Sequence, residues 1–406
     1  MKLMVVGHPF LLAYNQQKYV VMKRLDRDLR LRLIVPTRWR ERFEPTDYQV
    51  HPELSAEEVV PLKPRAGKSL MTYLYDPRLL VKCLREFQPD VIHLDPGEPQ
   101  ALMTVETIML QRIYAPSAAV TLWTVDNLLR PRGFPLGVLK KRLRAYSLPR
   151  TDAVLCCNRR AAELLKEEGR FNGICEVLPQ YGLDTTEHQP GKEPELRAQL
   201  GLGESLVIGH VGQMVERKGL RLLFEALGNL LHYPWKLLLV GSGPLDQEIR
   251  EQWMAKLPGR IVLVPAVPYE QVNRYLRCVD IFVLASQSVP YWQEQFGLAL
   301  AQAMMLGIPC IGSTSGSIPE VLGPGGLLFE EGRSADLQKR LNALLDSAEM
   351  RKELGDQARR FALQHYTREG IAARYMDAFE KVRCNHTGER DEKKETLELE
   401  SLARKI

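Results

Sequence analysis

The stretch "DIFVLASQSVPYWQEQFGLALAQAMMLGIPCIGS", residues 280–313, decides the fold. It opens on a short apolar run, "DIFVLAS", passes through a polar loop, and enters a small-residue helix. After Gly307 and Pro309 a second apolar run follows, "IPCIGS". Strand, crossover helix and strand in that order make a parallel pair. The uncharged run 295–319 is long enough to suggest a membrane span. Gly307, Pro309, Gly312 and the turn-forming "STSGS" interrupt it, so it reads as helix, turn, buried strand and loop.

The same alternation runs outward in both directions. Upstream, "LVIGHVG", "WKLLLVG" and "RIVLVPAV" repeat it. The first half has its own series: "KLMVVG", "LRLIVP", "DVIHLD", "AAVTLWTV" and "DAVLCCN", with helical stretches between several of them, such as 15–25 and 76–87. Near-continuous apolar strands with helical crossovers mean parallel sheets covered on both faces. The expectation is α/β, with two doubly wound, Rossmann-like parallel-sheet domains facing across a cleft. The expected boundaries are an acceptor-side domain at 1–178, a linker rich in Pro, Gly and charge at 179–204, and a nucleotide-binding domain at 205–365. A C-terminal helix at 366–383 would cross back to the first domain, and 384–406 would form a charged tail.

Composition fits. A chain of 406 residues with 45% hydrophobic and 26% charged residues suits two or three globular domains. A net charge of +5 is too mild to imply nucleic acid. Seven cysteines with no C-x-x-C pair make neither a metal site nor a disulfide framework, as in a reducing cytosol. "MKLMVVGHPFLL" is broken by Gly7, His8 and Pro9 and reads as a first buried strand, not a signal peptide.

Open parallel sheets collect ligands beyond the carboxyl ends of their strands. After "LVIGHVG" comes "GQMVERKGL", where Gly212 leaves the strand and Gln213, Arg217 and Lys218 precede a helix. Cations beside a strand-to-helix turn suit a diphosphate, against the plainer reading of a solvated loop. No P-loop and no G-x-G-x-x-G is present. After "DIFVLAS", Glu294 precedes a helix whose first turn holds Phe296, Gly297 and Leu298. The N–H groups of a first turn have no intrahelical partners and make an anion site. A carboxylate beside such a site is better suited to neutral sugar hydroxyls, with dipole complementation as its plainer role. Gln302 follows one turn on, as a ligand-facing amide or an ordinary polar residue.

These residues carry a resemblance. "GQMVERKG", "VGSGPLDQEI" and "EQFGLALAQAMMLGIPCIGSTSGSIPEV" followed by "GGLLF" resemble, in order, the donor domain of family 4 retaining glycosyltransferases, which have the GT-B fold. "LPQYGLD" is similar to that family's proline–glycine–aspartate turn, and the resemblance covers roughly residues 85–380. It implies sugar transfer, with retained anomeric configuration, from a nucleotide-diphosphate sugar that serves as co-substrate, with no cofactor and no metal. It implies that Glu294 holds the donor sugar, that Lys218 and the backbone of Phe296, Gly297 and Leu298 hold the diphosphate, and that Gln302 lies near the ribose. Three positions depart from the family. Gln302 replaces a second glutamate, Gln213 replaces a phosphate-binding arginine for which Arg217 is the candidate substitute, and Asp126 stands where many members carry a cleft histidine.

The first half says less. His93 ends a strand and reads more plainly as a packed histidine. Asn15, Gln16 and Lys18 are read either as cleft-lining or as a solvated helix start. Residues 130–150 hold seven Arg or Lys, no acid, and Phe134, Leu139, Leu143 and Tyr146 between them. That pattern suits peripheral contact with an anionic membrane or an anionic acceptor, against a helix with a solvated basic face. The expected enzyme is therefore a cytoplasmic glycosyltransferase of polysaccharide biosynthesis, at the inner membrane face if that segment binds lipid. Its partners would be a nucleotide-sugar donor and a glycan or lipid-linked acceptor. Glu294 and Asp126 are the expected catalytic residues. The alternatives are a nucleotide-sugar epimerase or sugar-phosphate-type synthase of the same fold, and an inactive nucleotide-sugar binder.

Overall fold

The structure, a computed structural model, describes residues 1–39, 46–66, 71–128 and 136–403, with the side chains at 46, 66, 136, 387 and 389–403 left aside. It divides into two compact units, residues 1–182 with 369–406, and residues 183–368.

The first unit is built on a seven-stranded parallel sheet. Its strands are β1 Lys2–Val6, β2 Arg30–Pro36, β3 Val59–Leu62, β4 Val91–Leu94, β5 Ala119–Thr124, β6 Ala153–Cys156 and β7 Ile174–Val177. They lie in the order β3-β2-β1-β4-β5-β6-β7. The second unit has six parallel strands: β8 Leu206–Val211, β9 Trp235–Val240, β10 Ile261–Val264, β11 Ile281–Leu284, β12 Cys310–Ser313 and β13 Gly326–Phe329. Their order is β10-β9-β8-β11-β12-β13. Each sheet starts in the middle, winds outward, then returns and winds the other way. Connections diverge between β1 and β4 in one unit and between β8 and β11 in the other, which is where doubly wound sheets take ligands.

The local chemistry explains the central βαβ unit. All four residues of β11 are buried, as a strand covered by helices on both faces requires. The helix that follows, α1 Leu298–Met305, is made of Ala, Leu, Met and Gln, all strong helix formers. It starts at Gly297 in the left-handed region (φ 78°) and stops before Gly307, with Pro309 barring continuation. It buries Leu300, Ala301, Ala303, Met304 and Met305, the larger of them contributing about 1.5–3 kcal/mol each.

Three readings of organisation change. Residues 183–204 are more than a connector: Leu183, Leu196 and Leu202 are buried in the core of the second unit, and Pro194–Gln199 is helical. Strands β3 and β7 are edge strands that hydropathy alone passed over. The C-terminal residues form one helix, Arg368–Ala403, whose Ile371, Tyr375, Phe379 and Val382 are buried in the first unit's core. The tail at 384–403 continues that helix, and 404–406 lie outside the described residues.

Candidate functional site

The second unit gathers most of the expected residues at the carboxyl ends of β8 and β11. Beyond β8, Gly212 donates its N–H to Val240 O at 3.0 Å, and Met214 donates to Ser242 O at 3.1 Å. Leu245 N returns a bond to Met214 O at 3.0 Å, so the "GQM" and "GSGPL" stretches are stitched together. The chain then makes a single turn, Glu216–Lys218, and reverses through Gly219 at φ 68°. A Cβ at Gly219 would lie 1.9 Å from Ala285 O. Only glycine lets this turn lie against the end of β11. Arg217 O accepts from Gln287 N at 2.8 Å and completes the seam.

That seam brings Lys218 to Glu294. Lys218 Nζ lies 2.6 Å from Glu294 Oε2, and Ser286 Oγ donates to the same oxygen at 2.7 Å. Glu294 is only 6% exposed. Its backbone is fixed from the other side, because Ser317 N donates to Glu294 O at 3.0 Å. Two residues earlier, Trp292 offers its ring to both cations, with Arg217 at 4.9 Å and Lys218 at 5.0 Å from the centroid. Arg217 also donates to Gln213 Oε1 at 3.1 Å. Arg217, the candidate substitute for the arginine that Gln213 replaces, is thus a direct neighbour of Gln213. Among the described residues no side chain caps the start of α1 at Gly297; Leu300 N donates to Gly297 O at 2.9 Å, so in the first turn the N–H groups of Leu298 and Ala299 are those left to an anion. Phe296 is anchored sideways, its ring edge-on to Tyr366 at 5.5 Å.

Beneath this group sits His210, fully buried on β8, with Nδ1 at 3.2 Å from Val283 O. Burial, and secondarily the Lys218 charge, lowers its pKa to about 4, so the ring is neutral at physiological pH. Gln302, 3% exposed, turns its amide nitrogen to His188 Nε2 at 3.4 Å. The other ring nitrogen of His188 lies 2.8 Å from Asp184 O.

Asp126 belongs to the other unit. It follows β5 and is 3.9 Å from Arg144 and 3.4 Å from Gln100 Nε2. Arg144 is buried, grips both oxygens of Glu168 with its Nε at 2.8 and 3.0 Å, and donates to Gln100 Oε1 at 2.6 Å. Beside them Glu98 accepts from Thr124 Oγ1 at 3.0 Å and from Val125 N at 3.2 Å. Burial, followed by the Asp126 charge, pushes the Glu98 carboxyl up to about 7. Arg144 therefore does not lie on a solvated basic face. In its helix, Leu136–Ser147, Lys141 and Arg142 are exposed, and so are Val138 (40%) and Leu139 (50%). Arg130, Arg132 and Phe134 of the basic segment lie outside the described residues.

Gln16 and Lys18 are buried within the first unit rather than solvated. Gln16 is sealed by bonds to Phe10 O and Gln49 O, both 2.7 Å. Asn15 donates to Pro9 O at 2.8 Å. Lys18 is buried at the divergence point of the first sheet, 3.0 Å from Asp95 and 3.9 Å from the Tyr375 ring centroid. Burial alone would raise the Asp95 carboxyl, but the Lys18 ammonium and His93 hold it at about 2, so the pair is ionised. The chain's own ion pair fills the position where an open sheet would take a ligand. His93 is the packed histidine: fully buried, bonded to Thr121 Oγ1 at 2.8 Å, with Phe379 against its ring.

Sequence reading missed Ser286, Trp292, His188 and Glu98, and took Arg144 for one more cation of a basic face. Trp292 and Ser286 had a signal, since both follow β11 in the loop that carries Glu294. Glu98 had one too, in "DPGEP" after β4. His188 lay in a stretch composition reads as connector, and Arg144 in a run of cations.

Residues 192–361 match the family described as glycosyl transferases group 1. The fold is the GT-B architecture of two Rossmann-like parallel-sheet domains. It matches HepE of Anabaena, solved in complex with UDP, at a TM-score of 0.70 and 17% identity over 94% of this chain and 100% of that one. Sucrose-phosphate synthase of Thermosynechococcus elongatus matches equally, at 0.70 and 17% over 95% of this chain and 100% of that one. Among curated proteins, N-acetyl-alpha-D-glucosaminyl L-malate synthase of Bacillus anthracis is 29% identical over 46% of this chain and 49% of its own. Sulfoquinovosyl transferase SQD2 of Arabidopsis thaliana is 25% identical over 73% of this chain and 57% of its own. The chain spans about half the length of the curated relatives it matches. Among the described residues no helix is long and apolar enough to cross a membrane.

Proposed function

We propose that this chain is a retaining glycosyltransferase of family 4 type, moving a hexose-like sugar from a nucleotide-diphosphate sugar to a polysaccharide or lipid-linked acceptor. The observation that carries this reading is the Lys218–Glu294 pair at the uncapped start of α1, beyond the strands where the second sheet diverges. A cation and open helix N–H groups suit a diphosphate, and an adjacent carboxylate suits the hydroxyls of the sugar it carries. Donor complexes of a structural neighbour support the substrate class: HepE has been solved with UDP-glucose. A relative named for teichuronic acid biosynthesis, TuaC of Bacillus subtilis, supports the acceptor class.

In the proposed reaction the diphosphate rests on the Gly212–Lys218 turn and on the N–H groups of Gly297 and Leu298. Lys218 and Arg217 supply the positive charge that stabilises the departing nucleoside diphosphate, so the reading needs no metal. Retention follows if the acceptor oxygen attacks the anomeric carbon from the face the phosphate leaves. The carbon–phosphate-oxygen bond breaks as the new glycosidic bond forms, and the acceptor proton passes to the leaving phosphate oxygen. Asp126 and Glu98 form the acidic group of the first unit and are proposed to hold acceptor hydroxyls.

The test is a panel of nucleotide sugars, screened by thermal shift and then by nucleoside-diphosphate release with and without glycan and lipid-linked acceptors. Acceptor-dependent release with retained configuration supports the proposal. Conversion of donor to a 2-epimer without acceptor replaces transfer with epimerisation. Binding without turnover leaves a nucleotide-sugar binder.

A further inference from the structure

His188 and Gln302 form a pair with directional consequences, and both lie inside the second unit. His188 is completely buried. Its Nδ1 lies 2.8 Å from the carbonyl oxygen of Asp184. A carbonyl can only accept, so Nδ1 carries a proton. Burial lowers the His188 pKa, with Arg368 and Arg277 acting in the same direction and Asp184 opposing, so the ring is neutral. Its Nε2 is then a bare lone pair, and it faces Gln302 at 3.4 Å. Only the NH2 end of the Gln302 amide can meet a lone pair favourably. The carbonyl end must point away. Among the described residues Oε1 of Gln302 accepts no hydrogen bond, which leaves it available to a ligand donor.

The histidine is held firmly enough to dictate this. Thr186 N and Oγ1 bond Asp184 Oδ1 at 2.7 and 2.6 Å, and Arg368 grips Asp184 Oδ2 at 2.7 Å. Arg359 donates to His188 O at 3.1 Å, and Arg277 and Asn273 hold Glu187 O at 3.0 and 3.1 Å.

We infer that His188 is a positioning residue that fixes the Gln302 amide with its carbonyl toward the nucleotide, making it a one-sided, uncharged acceptor for a ribose hydroxyl. This rests on the proposed donor site and on the placement, implied by the family resemblance, of Gln302 beside the donor's ribose. An unrestrained glutamine could present either end of its amide. A locked one accepts from hydroxyl donors as a carboxylate would, without adding negative charge near the diphosphate.

Two measurements on the full chain test it. Nitrogen-15 chemical shifts of His188 report the tautomer directly. A protonated Nδ1 and bare Nε2 are expected, and a protonated Nε2 overturns the inference whatever the ligand. The second uses whichever of UDP, ADP and GDP binds the wild type most tightly, with its 2′-deoxy and 3′-deoxy counterparts, by calorimetry. His188→Phe keeps a ring of similar size but no acceptor for the amide. It should lose roughly five- to tenfold in preference for the ribonucleotide while inorganic diphosphate affinity holds. Adding Gln302→Glu to that variant should restore the preference, because a carboxylate accepts from both ends. An unchanged preference in His188→Phe overturns the inference. A wild type that does not distinguish ribo- from deoxynucleotide removes the ribose from Gln302, and the reading fails at that earlier step with the tautomer result standing by itself.

Discussion

Exchanging Glu294 for Gln removes one charge from the proposed donor site and leaves its shape. In the native chain Glu294 Oε2 receives Lys218 Nζ at 2.6 Å and Ser286 Oγ at 2.7 Å. The side chains of Lys218 and Glu294 are 16% and 8% exposed, so solvent screens them weakly. Hydrogen bonds to charged groups contribute about 1.5–3 kcal/mol. A glutamine oxygen still accepts from both donors, so the expected loss of stability is smaller, about 1–2 kcal/mol. The consequence for binding has the opposite sign. In the native protein a diphosphate must compete with the Glu294 carboxylate for the Lys218 ammonium. In Glu294→Gln it need not, and the same 1–2 kcal/mol becomes roughly 5- to 30-fold tighter binding of nucleoside diphosphate. Sugar transfer should nevertheless fall, because an amide is a weaker acceptor for donor hydroxyls than a carboxylate. Calorimetry with nucleoside diphosphate and inorganic diphosphate, beside a melting curve, measures all but the last. Diphosphate affinity that stays level or weakens, in a variant that folds, would refute the reasoning: the pair would not be shared between carboxylate and ligand.

Three further outcomes follow from other contacts. Lys218→Ala should weaken diphosphate and nucleotide sugar together and flatten their salt dependence, with free nucleoside unaffected; equal losses for nucleoside and diphosphate would make Lys218 a structural residue. Glu98 has a folded pKa of about 7, above its usual 4.5, so the folded chain holds that proton more tightly and stability falls as pH rises from 4.5 through 7. Glu98→Gln should melt like the wild type at pH 5 and higher than it at pH 8, by no more than about 3 kcal/mol, and identical pH profiles would remove Glu98 from the acidic group. Changing exposed Lys141 and Arg142 to Gln should reduce co-sedimentation with anionic vesicles by roughly tenfold or more, at about 1 kcal/mol per basic residue. Arg144 is excluded from that test because it is buried against Glu168 and Gln100, and equal partitioning of both proteins would leave the helix face merely solvated.

How much of this was legible beforehand differs by region. Buried parallel strands announce themselves, since β1, β4, β5, β8, β9 and β11 are near-continuous apolar runs broken only by single polar residues. The edge strands of the first sheet do not: β7 is half-exposed throughout and β3 at two of its four positions, so hydropathy passes over both. Glu294, Lys218 and the start of α1 could be found because a site at a sheet's divergence point is assembled from segments that each follow a strand.

The chain's sequence by itself determined two parallel α/β units, the strand-to-helix turns that carry the cations, and the helix whose first turn is open. All are set within a few residues, by apolar runs, by Gly219 and Gly297 at positive φ, and by Pro309. Tertiary structure alone decided which groups meet. Lys218 and Glu294 are separated by 76 residues, Gln302 and His188 by 114, and Arg144 and Gln100 by 44. Whether a lysine is solvated, as its composition suggests, or sealed against Asp95, as Lys18 is, depends on what the rest of the chain folds over it. Hydrogen bonds and ion pairs act over about 3 Å, whereas hydrophobic periodicity only assigns a residue to a face. The pattern can therefore name an element and its buried side, but the partner of a buried polar group is known only when distant segments have come together.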